Sequence, residues 1–149
     1  MYGKILVPVD GSQTARGGLR EAIKLAQGFQ VTLRLLCIVN EAELTLAEAA
    51  YPNAELLDQL RQAGSAVLKD AEIEARAAGL NLESVLLDTS TNIAGELIVQ
   101  QAKEWPCELI VMGTHGRRGL HRVVLGSSAE FVLRHTPVPV LLVRRQNDR

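Results

Sequence analysis

Short apolar runs alternate with stretches of helical periodicity along the whole chain. Lys4 to Val9 (KILVPV) is mostly β-branched or apolar and ends in Asp10-Gly11-Ser12, a turn cluster with a helix-capping serine. That order predicts strand, turn, helix. From Gln13 to Gln27 the apolar residues Ala15, Leu19, Ala22, Ile23 and Ala26 recur at helical spacing, and Gly28 is placed to end the helix. Val31 to Val39 (VTLRLLCIV) predicts a second strand. A longer helix is predicted over Ala54 to Ala78, where Leu56, Leu57, Leu60, Ala63, Val67, Leu68, Ala71 and Ile73 keep a 3.6-residue rhythm before Gly79. Asn40 to Asn53, between these two, carries no boundary signal. The pattern then predicts a strand over Leu82 to Leu87, a helix over Ile93 to Glu104 and a strand over Leu109 to Met112 (LIVM). A fourth helix over Ser127 to Arg134 and a fifth strand over Val138 to Val143 (VPVLLV), entered through two prolines, complete it.

Strands that read as near-continuous apolar runs and alternate with helices predict an α/β fold, a parallel sheet covered on both faces. The expected form is a single domain over residues 1–149, doubly wound and Rossmann-like, with five parallel strands in the order 3-2-1-4-5 and four helices. In that topology a crevice opens at the C-terminal ends of strands one and four. The loops that follow those strands are Asp10-Gly11-Ser12 and Gly113 to Gly126.

Composition narrows the function. A length of 149 residues allows a real core without staples, and aromatics at 3% leave few rings for stacking bases, which argues against a nucleic-acid platform. No apolar run reaches membrane-spanning length, and the N-terminus lacks the pattern of a secretory signal, so no membrane partner is expected. Cys37 and Cys107 lie far apart within apolar segments and read as buried free thiols, which implies a reducing, cytoplasmic setting. The net charge of −1 hides a division: residues 1–112 carry 9 Lys/Arg against 15 Asp/Glu, whereas residues 113–149 carry 7 Arg against 2 acids and all three histidines. The basic end is where an anion is expected.

The chemistry concentrates in the same place. After strand four come Gly113-Thr114-His115-Gly116, nine residues (RRGLHRVVL), and Gly126-Ser127-Ser128 at the opening of a helix. Glycines admit close approach and conformations that let successive N–H groups converge on an anion, while serines at a helix N-terminus add hydroxyls where the macrodipole favours negative charge. The spacing predicts a phosphate clamp with two jaws.

Gly113-x2-Gly116-x9-Gly126-Ser127 resembles the G-x2-G-x9-G-[S/T] signature of the ATP-binding branch of the universal stress protein family. KILVPVDGS, MGTHGR and TPVPVLLV match the family pattern as well, so the likeness covers almost the whole chain. Thr89-Ser90-Thr91-Asn92-Ile93 departs from it, standing where a glycine and proline turn is more usual. The resemblance implies ATP in the crevice and a homodimer. It implies further that Gly113, Gly116, Gly126, Ser127 and Ser128 hold phosphates and ribose, that Pro8, Val9 and Asp10 line the first loop, that the backbone of Ile38 meets the adenine, and that Met112 packs beside sugar and base. His115, His121, Arg117, Arg118 and Arg122 border or fill the nine-residue span, and at most two of them, with His115 and Arg117 as the candidates, are expected to touch phosphate. Asp10 has three open roles: contact with the nucleoside, a water-mediated hold on Mg²⁺ (or Mn²⁺) bridging the phosphates, or a turn-forming carboxylate.

Two classes of function remain open, a nucleotide-binding regulatory module and a slow ATPase or (auto)phosphotransferase using the same site. No P-loop lysine, H-E-x-x-H or nucleophile elbow is found, and no catalytic residue is assigned. The uncharged strand 138–143 falls at the sheet edge, which points to pairing with a second copy through this strand.

Overall fold

In a computed structural model of the chain, the described residues are 1–42, 54–90, 93–115 and 125–144. They form β1 (Lys4–Pro8), α1 (Gln13–Ala26), β2 (Thr32–Asn40), α2 (Ala54–Ala77), β3 (Asn81–Thr89), α3 (Ala94–Glu104), β4 (Leu109–Gly113), α4 (Ser127–His135) and β5 (Val140–Val143). All strand pairs are parallel, and the order is β3-β2-β1-β4-β5. The expected doubly wound α/β architecture, five strands and four helices, is present.

Alternation along the strands sorts the core into two. Ile5, Val7, Leu33, Leu35, Leu109 and Val111 face α1 and α2, where Leu19, Ala22, Ala26, Leu68 and Ala75 complete one buried cluster. Leu6, Leu36, Ile110 and Met112 face α3 and α4, packed with Ile98, Ala102, Trp105, Ala129 and Val132. Successive side chains of a strand point to opposite faces, so a run such as Ile5-Leu6-Val7 feeds both clusters. Cys37 and Cys107 are both buried and neither forms a disulfide, as the apolar context of each predicts, and burial pushes the Cys107 thiol up.

Most boundaries fall within two residues of the sequence reading. β5 begins at Val140 rather than Val138. Thr136 closes a turn there, its hydroxyl 2.6 Å from the Val138 carbonyl and 3.1 Å from the Val138 N–H. Pro139 therefore sits just ahead of the strand, where its carbonyl accepts from the Ile110 N–H at 3.0 Å and its missing donor costs the ladder nothing.

Strand lengths shape the site. β1 reaches Pro8, opposite Leu36, while β2 runs on to Asn40 against β3. β1 and β4 stay in register only at Ile5–Leu109 and Leu6–Ile110. Beyond those rungs the sheet opens at its C-terminal edge.

Candidate nucleotide pocket

A pocket of about 320 Å³ occupies that opening. Ten of the residues singled out in the sequence line it: Pro8, Val9, Asp10, Ile38, Met112, Gly113, His115, Gly126, Ser127 and Ser128. Gly116 and Arg117 lie outside the described residues.

The first loop uses up its own donors. The Val9 N–H reaches the Leu36 carbonyl at 2.8 Å, and the Ser12 N–H donates to Asp10 Oδ1 at 2.8 Å. Ser12 Oγ in turn accepts from the Ala15 N–H at 3.2 Å and caps α1. Asp10 thus performs the turn-forming role, with one carboxylate oxygen engaged by the chain.

The start of α4 does the opposite. α4 starts from Gly126, which has no side chain to cap it, and the N–H groups of Ser127, Ser128 and Ala129 meet no acceptor among the described residues. A helix leaves its first donors unpaired unless something outside it accepts, and here all three residues line the pocket. The Gly126 N–H itself is tied to the Thr114 carbonyl at 2.8 Å, which brings α4 against the end of β4.

Gly113 serves this arrangement in a way its motif position does not reveal. A Cβ there would stand 2.7 Å from the Thr14 carbonyl carbon, so the residue lets the N-terminus of α1 press against β4. Thr14 uses the contact, its hydroxyl donating to the His115 carbonyl.

The β2 side supplies backbone. Rungs alternate along a strand, and the Glu41 N–H donates to the Thr89 carbonyl of β3, so Ile38 directs its N–H and C=O the other way, past the end of β1. Ile38 presents one donor and one acceptor at the pocket wall.

Part of the lining went unpredicted. Leu60, Ala63, Gly64 and Val67 of α2 close one side, Ala94 and Ile98 of α3 another, and Asn40 stands at the end of β2. Gly64 carried a signal, because a glycine inside a helix sacrifices about 1 kcal/mol relative to alanine and usually has a packing reason. A Cβ there would come within 2.9 Å of Leu86 and 3.2 Å of Val39, so α2 rides close on β2 and β3. The Arg61 guanidinium, 2.7 Å from Asp88, fastens the same helix to the end of β3.

Comparison with known proteins agrees with this fold. A model of the universal stress protein family matches residues 1–144. Universal stress protein YxiE of Bacillus subtilis is 31% identical, over 97% of this chain and 100% of its own. The solved structure of protein MJ0577, a universal stress protein of Methanocaldococcus jannaschii, superposes with a TM-score of 0.87 at 30% identity and covers 99% of both chains. A universal stress protein solved in complex with cAMP shares the fold, with a TM-score of 0.71 at 24% identity over 97% of this chain and 99% of its own.

Proposed function

The chain belongs to the universal stress protein family, and from that membership we propose that its crevice binds ATP, with Mg²⁺ or Mn²⁺ bridging the phosphates. The protein then acts as a single-domain, nucleotide-dependent regulatory module of a stress response in the cytoplasm. One observation carries the reading: a single pocket holds both the unpaired donors of α4 and the unpaired backbone rung of Ile38. The first suits a phosphate chain. The second suits the edge of adenine, which offers one acceptor and one amine donor side by side, whereas guanine offers them in the reverse sense. The cAMP complex of a protein of this fold accords with a nucleotide in the crevice.

The donor set fits a metal held mainly by the nucleotide. Asp10 is the only carboxylate lining the pocket among the described residues, and Mg²⁺ is commonly held by one or two carboxylates plus substrate phosphates. Two buried cysteines outside any disulfide favour the reducing setting. No helix among the described residues is long and apolar enough to cross a membrane.

Calorimetry with nucleotide and Mg²⁺ tests the site. ATP should saturate it, and GTP should bind at least about tenfold more weakly, the equivalent of one mismatched hydrogen-bonded edge. No saturation with ATP at millimolar concentration, or equal affinities for the two nucleotides, would rule the reading out.

The proposal includes a homodimer through the C-terminal strand. β5 pairs with β4 on one side, and the backbone groups of Val140 and Leu142 face away from that ladder. Leu141, 38% exposed, presents an apolar side chain on the same strand. Leu141→Lys should convert a sedimenting dimer to monomer without unfolding it, because the side chain already reaches solvent. A native monomer, or a variant that stays dimeric, would count against this interface.

A further inference from the structure

One buried polar atom in the pocket lacks a partner. His115 directly follows Thr114 beyond β4, is 8% exposed, and lines the cavity. Its position is fixed from two sides: Nδ1 lies 2.9 Å from Thr114 Oγ1, and its carbonyl accepts from the Thr14 hydroxyl of α1. Its Nε2 is buried with no hydrogen-bond partner among the described residues. Buried polar atoms are nearly always satisfied, so an orphan beside a cavity points to a ligand that completes it. The free donors of α4 line the same cavity and point to the same kind of ligand, an anion.

We propose that His115 distinguishes a phosphate-bearing ligand from the uncharged nucleoside, and that it does so by taking up a proton from solvent when phosphate enters. The inference rests on the nucleotide reading above. A phosphate oxygen at Nε2 favours the imidazolium over the neutral ring. Both ring nitrogens then donate, Nδ1–H to Thr114 Oγ1 and Nε2–H to the phosphate.

The surroundings leave this control to few groups. Besides His115, the titratable groups among the described residues that line the cavity are Asp10 and Cys37. α1 contributes Thr14, α4 contributes Ser127 and Ser128, and Glu130 in the first turn of α4 is paired with Arg134 at 2.8 Å. α2 and α3 present only uncharged residues to the cavity, β4 presents Met112 and Gly113, and Arg144 follows β5.

The sign of the pH dependence follows. Phosphate raises the ring's proton affinity, so binding is tightest below the free ring's pKa. It weakens as pH rises toward the bound ring's pKa, by up to about tenfold per pH unit. Adenosine, without phosphate, gains nothing from the proton.

Calorimetry of ATP, adenosine and inorganic tripolyphosphate between about pH 6 and pH 8, in two buffers of different ionisation heat, tests this. The chains are the native protein, His115→Gln, His115→Asn and His121→Gln. Glutamine keeps an N–H donor that does not titrate, and asparagine gives a second, smaller amide should glutamine disturb the fold. A terminal phosphate itself titrates near pH 6, so the result is the difference in protons taken up between native and variant chains. The native protein should take up as much as one proton more than either His115 variant. Its preference for ATP over adenosine should fall about tenfold in those variants at low pH, and His121→Gln should match the native chain. Equal proton counts in native and His115 variants, or an uptake lost in His121→Gln instead, would overturn the assignment. Tripolyphosphate binding with proton uptake, in the absence of saturable ATP binding, would keep His115 and discard the nucleotide.

Discussion

Gly126→Asp is expected to abolish tight nucleotide binding while leaving the protein at least as stable as before. Gly126 has φ −62° and ψ 153°, extended backbone that any residue adopts, so the substitution brings no strain of its own. An aspartate at this N-cap accepts a hydrogen bond from the first turn of α4 and lies at the favourable end of its dipole. The two effects are worth a few tenths and about 0.3–1 kcal/mol. The same carboxylate occupies the place of the phosphates and repels them. A unit charge about 4–8 Å away at an effective dielectric of 20 costs about 2–4 kcal/mol, or roughly 30- to 1,000-fold in affinity. Titration calorimetry and thermal unfolding of one preparation give both numbers. Undiminished affinity would show that the α4 terminus does not hold the anion.

Gly113→Val carries the largest expected effect on the fold. The new Cβ would stand 2.7 Å from the Thr14 carbonyl carbon and 2.8 Å from its oxygen, and both belong to backbone that cannot rotate aside. α1 would have to withdraw from β4, taking the Thr14 hydroxyl from the His115 carbonyl. Overpacking ordinarily costs about 1–3 kcal/mol, and contact with rigid main chain puts this case at or above the top of that range. Domains of this size have roughly 5–15 kcal/mol in total, so the urea midpoint should fall steeply. A midpoint within error of the native one would show that α1 is free to shift.

What the chain's sequence discloses about itself depends on how far apart the interacting residues are. The strands and helices were legible because each depends on its own period: KILVPV and LIVM are buried on both faces, and Leu19, Ala22, Ile23 and Ala26 lie on one side of α1. The jaw at Gly126-Ser127-Ser128 was legible for a similar reason, since an uncapped helix start is a local property. Gly113 was marked as a phosphate residue, yet its tightest neighbour is Thr14, 99 positions earlier, and only the assembled sheet brings them together. The α2 wall escaped notice because Leu60, Ala63, Gly64 and Val67 form an ordinary helical stripe, and nothing in a stripe says whether it faces core or cavity. The start of β5 moved because Thr136 turns the chain onto its own hydroxyl, a contact that competes with extending the strand.

The sheet divides the interior into two clusters, and both reach the crevice where β1 and β4 part. Val9 and Cys37 border the crevice from one cluster, and Leu36, Ile98, Met112 and Ala129 border it from the other. Whatever lodges there works as a keystone between two otherwise separate masonries. Its arrival loads the α1–α2 layer and the α3–α4 layer together, so a change at one small seam is legible from opposite sides of the molecule.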